Sequence, residues 1–495
     1  MVSESFPAAM LGLLDLLPSF LIIVSTGAAI PPSGNVPKHR VHFGEGRRMP
    51  ARLTWFLPLA LLLPGAAWAD DTPDALTISG SFRVRYEAID GQARTGFNSS
   101  DQFTNLRTQF LAQYEADPLR LGLEIYDSRV FGAMPGSALT TSEVNTLEPV
   151  QAFVAVDLPG LLGKGSAVTL KAGRMTLDLG SRRLVALDDY RNTVNSYTGL
   201  RGDLSMPHGI KATLVYVLPQ QRLPGDYASM DRGKIELDKE SFDAVLWGGL
   251  ASKAKALGRA TAELSFYHFG ERDAPALPTR DRSLNSLGVR LFADPMPGRL
   301  DYELEAIWQS GEISASLAPG AATQQVSASY VRGRIGYSFA GALKPRVAFE
   351  VDRASGDGPG GRYGRFDPLF GARRSDLGPA GLYNAIGRSN IFSPGVRLEI
   401  SPGQRLDAFV GYRAMWLAAD TDSFSTTGVR DASGRSGDFA GHQIDTRLRY
   451  WLLPKRLRFE ADAVLLAKGR FLRQAPNATP GDATRYVSFN LTGYL

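Results

Sequence analysis

From residue 76 onward the chain repeats one short grammar, in which apolar and polar side chains alternate position by position over runs of roughly 9 to 15 residues. In LTISGSFRVRYE, Leu76, Ile78, Phe82, Val84 and Tyr86 fall on one face, and Thr77, Ser79, Ser81, Arg83, Arg85 and Glu87 on the other. Successive side chains of a strand point to opposite faces, so each run predicts a β-strand with one greasy side and one charged side. The alternation returns in NLRTQFLAQYE, RLDAFVGYRAMWLA, QIDTRLRYWLL and RLRFEADAVLLAK. About eighteen such segments follow one another, the first near Leu76 and the last near Thr484.

The connections sharpen the picture. Short turns (Asp117-Pro118, Pro207-His208-Gly209, Ser401-Pro402-Gly403-Gln404, Pro454-Lys455) alternate with long polar loops near 91–102, 132–148, 221–242, 354–390 and 419–441. Connections that are short on one side and long on the other belong to a barrel that crosses an outer membrane, where strands of this length suffice to span the hydrocarbon. The predicted fold is therefore all-β. It is a single-chain antiparallel transmembrane β-barrel of about eighteen strands, with about sixteen as the smaller even alternative, long extracellular loops and short periplasmic turns. The final run, RYVSFNLTGYL, puts Val487, Phe489, Leu491, Gly493 and Leu495 on one face, as a closing strand read by barrel-assembly machinery would.

Before residue 76 the pattern differs. RRMPARLTWFLPLALLLPGAAWADD has a basic start, an apolar run from Trp55 to Leu63, a Pro64-Gly65 break and an Ala67-Trp68-Ala69 ending, the layout of a secretory signal peptide. The expected division is an extension over residues 1–48 that stems from an upstream start codon, a signal peptide over 49–69 cut after Ala69, and the barrel over 70–495. Beyond residue 69 no apolar run approaches the length of a membrane helix.

Composition narrows the chemistry. The chain has no cysteine, which removes disulfides, thiolate metal sites and cysteine nucleophiles. Beyond residue 69 stand 50 basic and 47 acidic side chains, a net +3, which does not point to nucleic acid. Three histidines remain there, His208, His268 and His442, none with the serine and acid partners of a hydrolase or the spacing of a metal site. The expectation is a protein that is not an enzyme and carries neither metal nor cofactor.

If the apolar face meets lipid, the polar face lines a lumen. By parity that face holds Arg83, Arg85, Arg107, Arg332, Arg413, Arg449 and Arg458, interleaved with acids such as Glu87, Glu303, Glu350, Asp352 and Asp445. Guanidinium keeps its charge and presents a planar fork that fits carboxylates two bonds at a time, so such a lining suits carboxylate-bearing solutes. Arginines and acids inside a barrel also pair across strands with no further role. Convergence of several arginines on one narrow passage separates the two readings.

Two stretches, LKAGRMTLDLGSRRLVALDDYRNT and VDRASGDGPGGRYGRFDPLFGARRSDLGPAGLYNAIGRSN, the second carrying Phe366-Asp367-Pro368-Leu369-Phe370, resemble the alginate-export family of outer-membrane proteins. The resemblance implies a monomeric barrel in the bacterial outer membrane, exporting an anionic, alginate-like polyuronate through an arginine-lined conduit. It also implies contact with membrane lipid, lipopolysaccharide and periplasmic export components. Carried over by position, it assigns Arg174, Arg182, Arg183, Arg191 and Arg353 to the conduit, with Asp178, Asp188 and Asp189 as acidic partners. The 354–390 loop becomes a lid over the outer mouth, while the periplasmic turns are too short for a large gate. A substrate-selective uptake porin for small carboxylates or sugars is the alternative on the same architecture.

Overall fold

Eighteen strands of 9 to 16 residues pair in chain order and close on themselves in the computed structural model, which describes residues 75–274, 277–374 and 376–495. The expected extension over 1–48 and signal peptide over 49–69 lie outside the described residues. Strands are numbered here in chain order. The first, β1 (Leu76–Asp90), pairs on one side with β2 (Asp101–Ala116) and on the other with the last, β19 (Ala483–Tyr494), Phe82 standing opposite Gly493 and Val84 opposite Leu491. Closure leaves no sheet edge, so the backbone donors and acceptors of every strand find partners without water. The two-residue β14 (Arg362–Tyr363) lies within a loop, where it runs parallel to β12 (Thr323–Ser338), and is the nineteenth strand of the sheet.

The two faces follow the alternation of the sequence. On β1, Ser81, Arg83, Arg85, Glu87 and Ile89 are buried and point inward, while Phe82 and Tyr86 are exposed and point outward. On β13 (Arg346–Ala354), Arg346, Ala348, Glu350 and Asp352 are buried, whereas Phe349, Val351 and Arg353 are exposed. Aromatic clusters mark both rims of the outward face. Phe392, Trp416, Phe439, Tyr412 and His442 gather at the long-loop end, and Tyr337 meets Phe339 at the short-turn end. Rings at these two levels are the girdles that seat a barrel at the membrane interfaces.

The loops depart from expectation in one respect. The 355–390 loop does not lie over the mouth as a lid but descends into the barrel and bonds to strands beyond the two that it joins. The Leu382 amide donates to Glu87 of β1 (3.0 Å), and the Tyr383 hydroxyl to Gln443 (2.6 Å) of β17 (Phe439–Leu453). Its apolar residues drive this, since Phe366, Leu377, Leu382, Tyr383 and Ile386 are fully buried beside Leu177, Leu184 and Val185 of the 176–196 loop. The two loops are joined by a Val185–Phe370 bridge, with Phe370 N donating to Leu184 O (2.9 Å) and Ala372 N to Arg182 O (2.9 Å). A hydrophobic core thus sits inside the barrel, where apolar residues of the loops pack against inward-facing strand residues such as Phe103, Val217, Phe269 and Tyr330.

Candidate functional site

Two polar chambers lie in the lumen on either side of the short segment 187–191. The outer one, about 290 Å³, is walled by loops and lined by Asp188, Arg191, Arg222, Arg373, Tyr197 and Phe370 among others. The inner one, about 300 Å³, is lined mostly by strands, with Arg83, Arg107, Glu124, Tyr126, Asp189 and Arg458. Consecutive residues therefore serve different chambers, Asp188 the outer and Asp189 the inner. Asp188 sits at φ +56°, a left-handed conformation that aspartate tolerates better than most side chains, and it is here that the chain changes direction.

The barrel wall holds the segment by its backbone. Arg83 donates to Arg191 O (2.6 Å), and Arg107 to Asp189 O (3.1 Å) while pairing with the Asp189 carboxylate (2.9 Å). Asn192 donates to Leu106 O (3.0 Å) and Glu143 O (2.9 Å), and accepts nothing less firm at its own carbonyl, where Ser128 donates (2.7 Å). Tyr190 points away from both chambers and donates to Asp462 (3.3 Å), its ring covered by Arg85 at 4.3 Å.

Charge in the outer chamber is unbalanced. Arg191 pairs with Asp188 (3.0 Å). Arg222 is held by Thr141 O (3.0 Å) and Asn195 Oδ1 (2.8 Å), and Arg373 by Asn384 Oδ1, yet neither has an acid within ion-pair distance among the described residues. Burial, followed by the Arg191 guanidinium, pushes Arg222 down to about 10. Burial also pushes Arg373 down to about 10, with Arg191, Arg94 and Arg388 adding to it against the opposing pull of Asp188. Both remain charged near neutrality, crowded by their own kind. A Tyr197–Phe370 edge-to-face pair gives the same chamber an aromatic wall.

The remaining predicted positions divide sharply. Arg183 is buried in a network with Glu303 (2.8 Å), Glu305 and Asp376 (2.9 Å), which joins the 176–196 loop to the 355–390 loop and to β11 (Leu300–Ser314). Arg413 lies in the same network against Glu350 (2.8 Å) and the Asp376 carbonyl. Arg174, at the end of β5 (Ala167–Met175), pairs with Glu148 and Glu240 (3.0 Å). The preceding Gly173 has φ +117°, and a Cβ there would come within 2.4 Å of Ala152 O, so the Gly-Arg pair needs its glycine. Arg85 is enclosed by Asn490, Glu87 (3.4 Å) and Tyr190. Arg449 pairs with Asp407 (2.9 Å), and the exposed Arg182 with Asp178 (3.1 Å), whose carboxylate also accepts from Leu187 N (2.9 Å) at the start of the dividing segment.

Arg353 requires correction as a conduit residue. It is exposed on the outward face with Phe349 and Val351, opposite Val331 and Phe392 of the neighbouring strands, because one-residue parity on β13 sends Asp352 inward and Arg353 out. Sequence reasoning also missed Arg222 and Arg373. Their loops have no period to orient them, and the only signal was the Arg373-Arg374 doublet inside a stretch rich in glycine and apolar residues.

A closed barrel with lipid-facing aromatic girdles, a charged lumen and inward-folded loops defines a transport channel of the bacterial outer membrane. The alginate export family model matches residues 74–485, and the chain belongs to that family. No curated protein sequence matches the chain. Among solved structures, it is similar to OccD3 (OpdP) of Pseudomonas aeruginosa, with a TM-score of 0.52 and 10% identity over 85% of this chain and 91% of that one. OpdK of the same organism with vanillate gives 0.51 and 12% over 84% and 98%. OccK2 (OpdF) in complex with glucuronate gives 0.53 and 13% over 85% and 96%. At such identities these likenesses concern the fold.

Proposed function

We propose that the protein exports an anionic, alginate-like polyuronate across the outer membrane, its carboxylates passing between the arginines of the inner and outer chambers. The observation that carries this reading is the convergence of Arg191, Arg222 and Arg373 on one small chamber where two of the three have no acidic partner within ion-pair distance among the described residues. Most lumen arginines are matched by acids, so the few that are not are available to a solute. A polymer needs contacts strong enough to admit each uronate and weak enough to release it, which monodentate or shared guanidinium contacts supply. Membership of the alginate export family supports the polymer. Small-carboxylate uptake is the second reading, favoured by the compactness of each chamber, near the lower end of ligand-sized cavities of about 300–1,000 Å³.

Planar-bilayer recording tests both. The expected result is anion selectivity, with block by oligouronates that deepens with chain length and is absent for neutral oligosaccharides. Block by monouronates that does not deepen with length favours small-solute uptake, and a pore without anion preference rejects the arginine path in either form.

A further inference from the structure

The inner chamber holds a carboxylate already, and it is one of the protein's own. Asp189 has a side chain 56% exposed to that chamber and rests on Arg107, which is 5% exposed and backed by the Tyr126 ring at 5.2 Å. Arg107 spends its other terminal nitrogen on Asp189 O (3.1 Å) and Arg191 O (3.3 Å). A single arginine thus grips the divider by a carboxylate that solvent can reach and by two carbonyls. Arg83 approaches the same carbonyls, at 3.3 Å from Asp189 O and 2.6 Å from Arg191 O. Across the chamber Arg458 lies between the Trp451 and Tyr494 rings, at 5.7 and 5.5 Å, with no acid in ion-pair range among the described residues. Glu124, the other acid lining this chamber, is occupied by Gln109 and Gln151 (2.5 Å each).

We infer that Asp189 is an internal stand-in for a ligand carboxylate, so that a uronate entering the inner chamber displaces it from Arg107 and frees the 187–191 segment that closes one chamber from the other. This rests on the reading of the lumen as an anion path and adds to it a means of opening. The exchange involves no covalent step: one carboxylate leaves a guanidinium as another arrives, and the charge on Arg107 stays matched throughout. Arg458 offers the newcomer a first contact without competition. Once Asp189 is free, the divider retains the Arg83 contacts and the Tyr190 anchor, so it can tilt without being lost. Arg191, one end of the same segment, then meets the ligand from the outer side. The chamber is selective for carboxylates because a neutral sugar cannot replace Asp189 on Arg107.

Removing an internal competitor strengthens binding of the external one, which is the reverse of what loss of a structural contact does. Glucuronate titrations on the full chain in detergent or bilayers are therefore expected to show Asp189→Asn binding about tenfold more tightly than the native protein, because the fraction of molecules with a vacant Arg107 rises. Its basal conductance rises as well, and glucuronate no longer increases it. Glu124→Gln removes the same charge from the same chamber without touching Arg107. Equal tightening in both variants means a general electrostatic effect and overturns the inference. So does an Asp189→Asn pore with native conductance and native affinity. Should that variant not fold, the native protein still decides: glucuronate must raise chloride conductance at low concentration while its methyl ester does not, and equal responses to the two overturn the inference. A native pore that lacks anion preference altogether rejects the proposed function itself, whereas a selective pore with unaltered Asp189→Asn behaviour rejects only the exchange.

Discussion

Asp189 and Asp376 are both loop carboxylates that meet guanidinium groups inside the barrel, yet their surroundings give them opposite mechanical characters. Asp376 is 6% exposed and is held by Arg183 (2.9 Å), Arg388 and, at 3.7 Å, Arg332, while its carbonyl accepts from Arg413. Burial works against its charged form, but Arg183, Arg332 and Arg388 hold the carboxyl well below the usual range. It bolts two loops and two strands together. Asp189 has one arginine and an open side, so water or a solute can compete for its place. The strength of an ion pair inside a pore is thus set by how many partners enclose it. The number of arginines in a lumen consequently says little about how many are free to meet a solute.

The comparison can be broken most directly at the bolt. Asp376→Asn leaves Arg183 and Arg388 in a buried site with too little negative charge, a loss on the order of 3–5 kcal/mol. The expected outcome is a barrel that still forms but whose 355–390 loop becomes open to protease on intact outer membranes. A variant as protease-resistant as the native protein would place the bolt elsewhere.

A third loop carboxylate separates burial from pairing. Glu143 is 2% exposed and accepts from Thr140 N (2.9 Å) and Thr140 Oγ1 (2.7 Å), without a guanidinium in contact among the described residues. Burial pushes its carboxyl up from 4.5 to about 7. Between those values the packed loop keeps a proton that the opened loop has released, so the contribution is full below about 4.5 and is lost as pH rises through about 7. Loop protection measured by hydrogen exchange should fall over that window, by up to about 3 kcal/mol. Glu143→Gln should flatten the dependence.

Smaller effects sharpen the other side of the comparison. Arg222→Glu and Arg373→Glu act on groups without acidic partners among the described residues, so each should cut the anion-to-cation permeability ratio several-fold in bilayers while leaving thermal unfolding near native. Reversal at Arg183, which is fully matched by acids, should instead prevent proper loop packing. The least change in stability is expected for Asp189→Asn, within about 1 kcal/mol, because Asp189 is open to solvent and Arg107 keeps the Asp189 and Arg191 carbonyls as acceptors. If thermal unfolding shows it as damaging as Asp376→Asn, the distinction between bolt and stand-in fails.

Much of the wall was legible because strand parity leaves each residue only two choices. Arg83, Arg85, Arg107 and Arg413 face inward as the alternation requires. The failure at Arg353 is instructive, since the same alternation had already placed Glu350 and Asp352 inside, and positional likeness to a family overrode it. Strand geometry was the better guide. The loops carry no such constraint. That Arg222 meets Arg191, or that Arg374 reaches Asp445 (3.1 Å) and Asp462, depends on contacts between residues far apart in the chain, and only the apolar content of 366–386 hinted at inward packing.

The loop core inside the barrel has a consequence for assembly. Leu382 donates to Glu87 on the first strand, Tyr190 to Asp462 on β18 (Leu457–Lys468) with Tyr486 of the last strand 3.3 Å away, and Arg83 of the first strand holds Arg191. Each of these grips lies beside the seam where β1 meets β19, and the grip of Leu382 and that of Tyr190 fall on opposite banks of it. Until the seam shuts, the two loops lack these grips, while others, such as Tyr383 on Gln443 and Arg183 on Glu303, lie away from it. The loops are therefore expected to seat fully only once the wall is closed, and a chain halted before closure should be cut more readily by protease in these loops. What divides the chambers in the finished channel also marks, during its construction, whether the cylinder is complete.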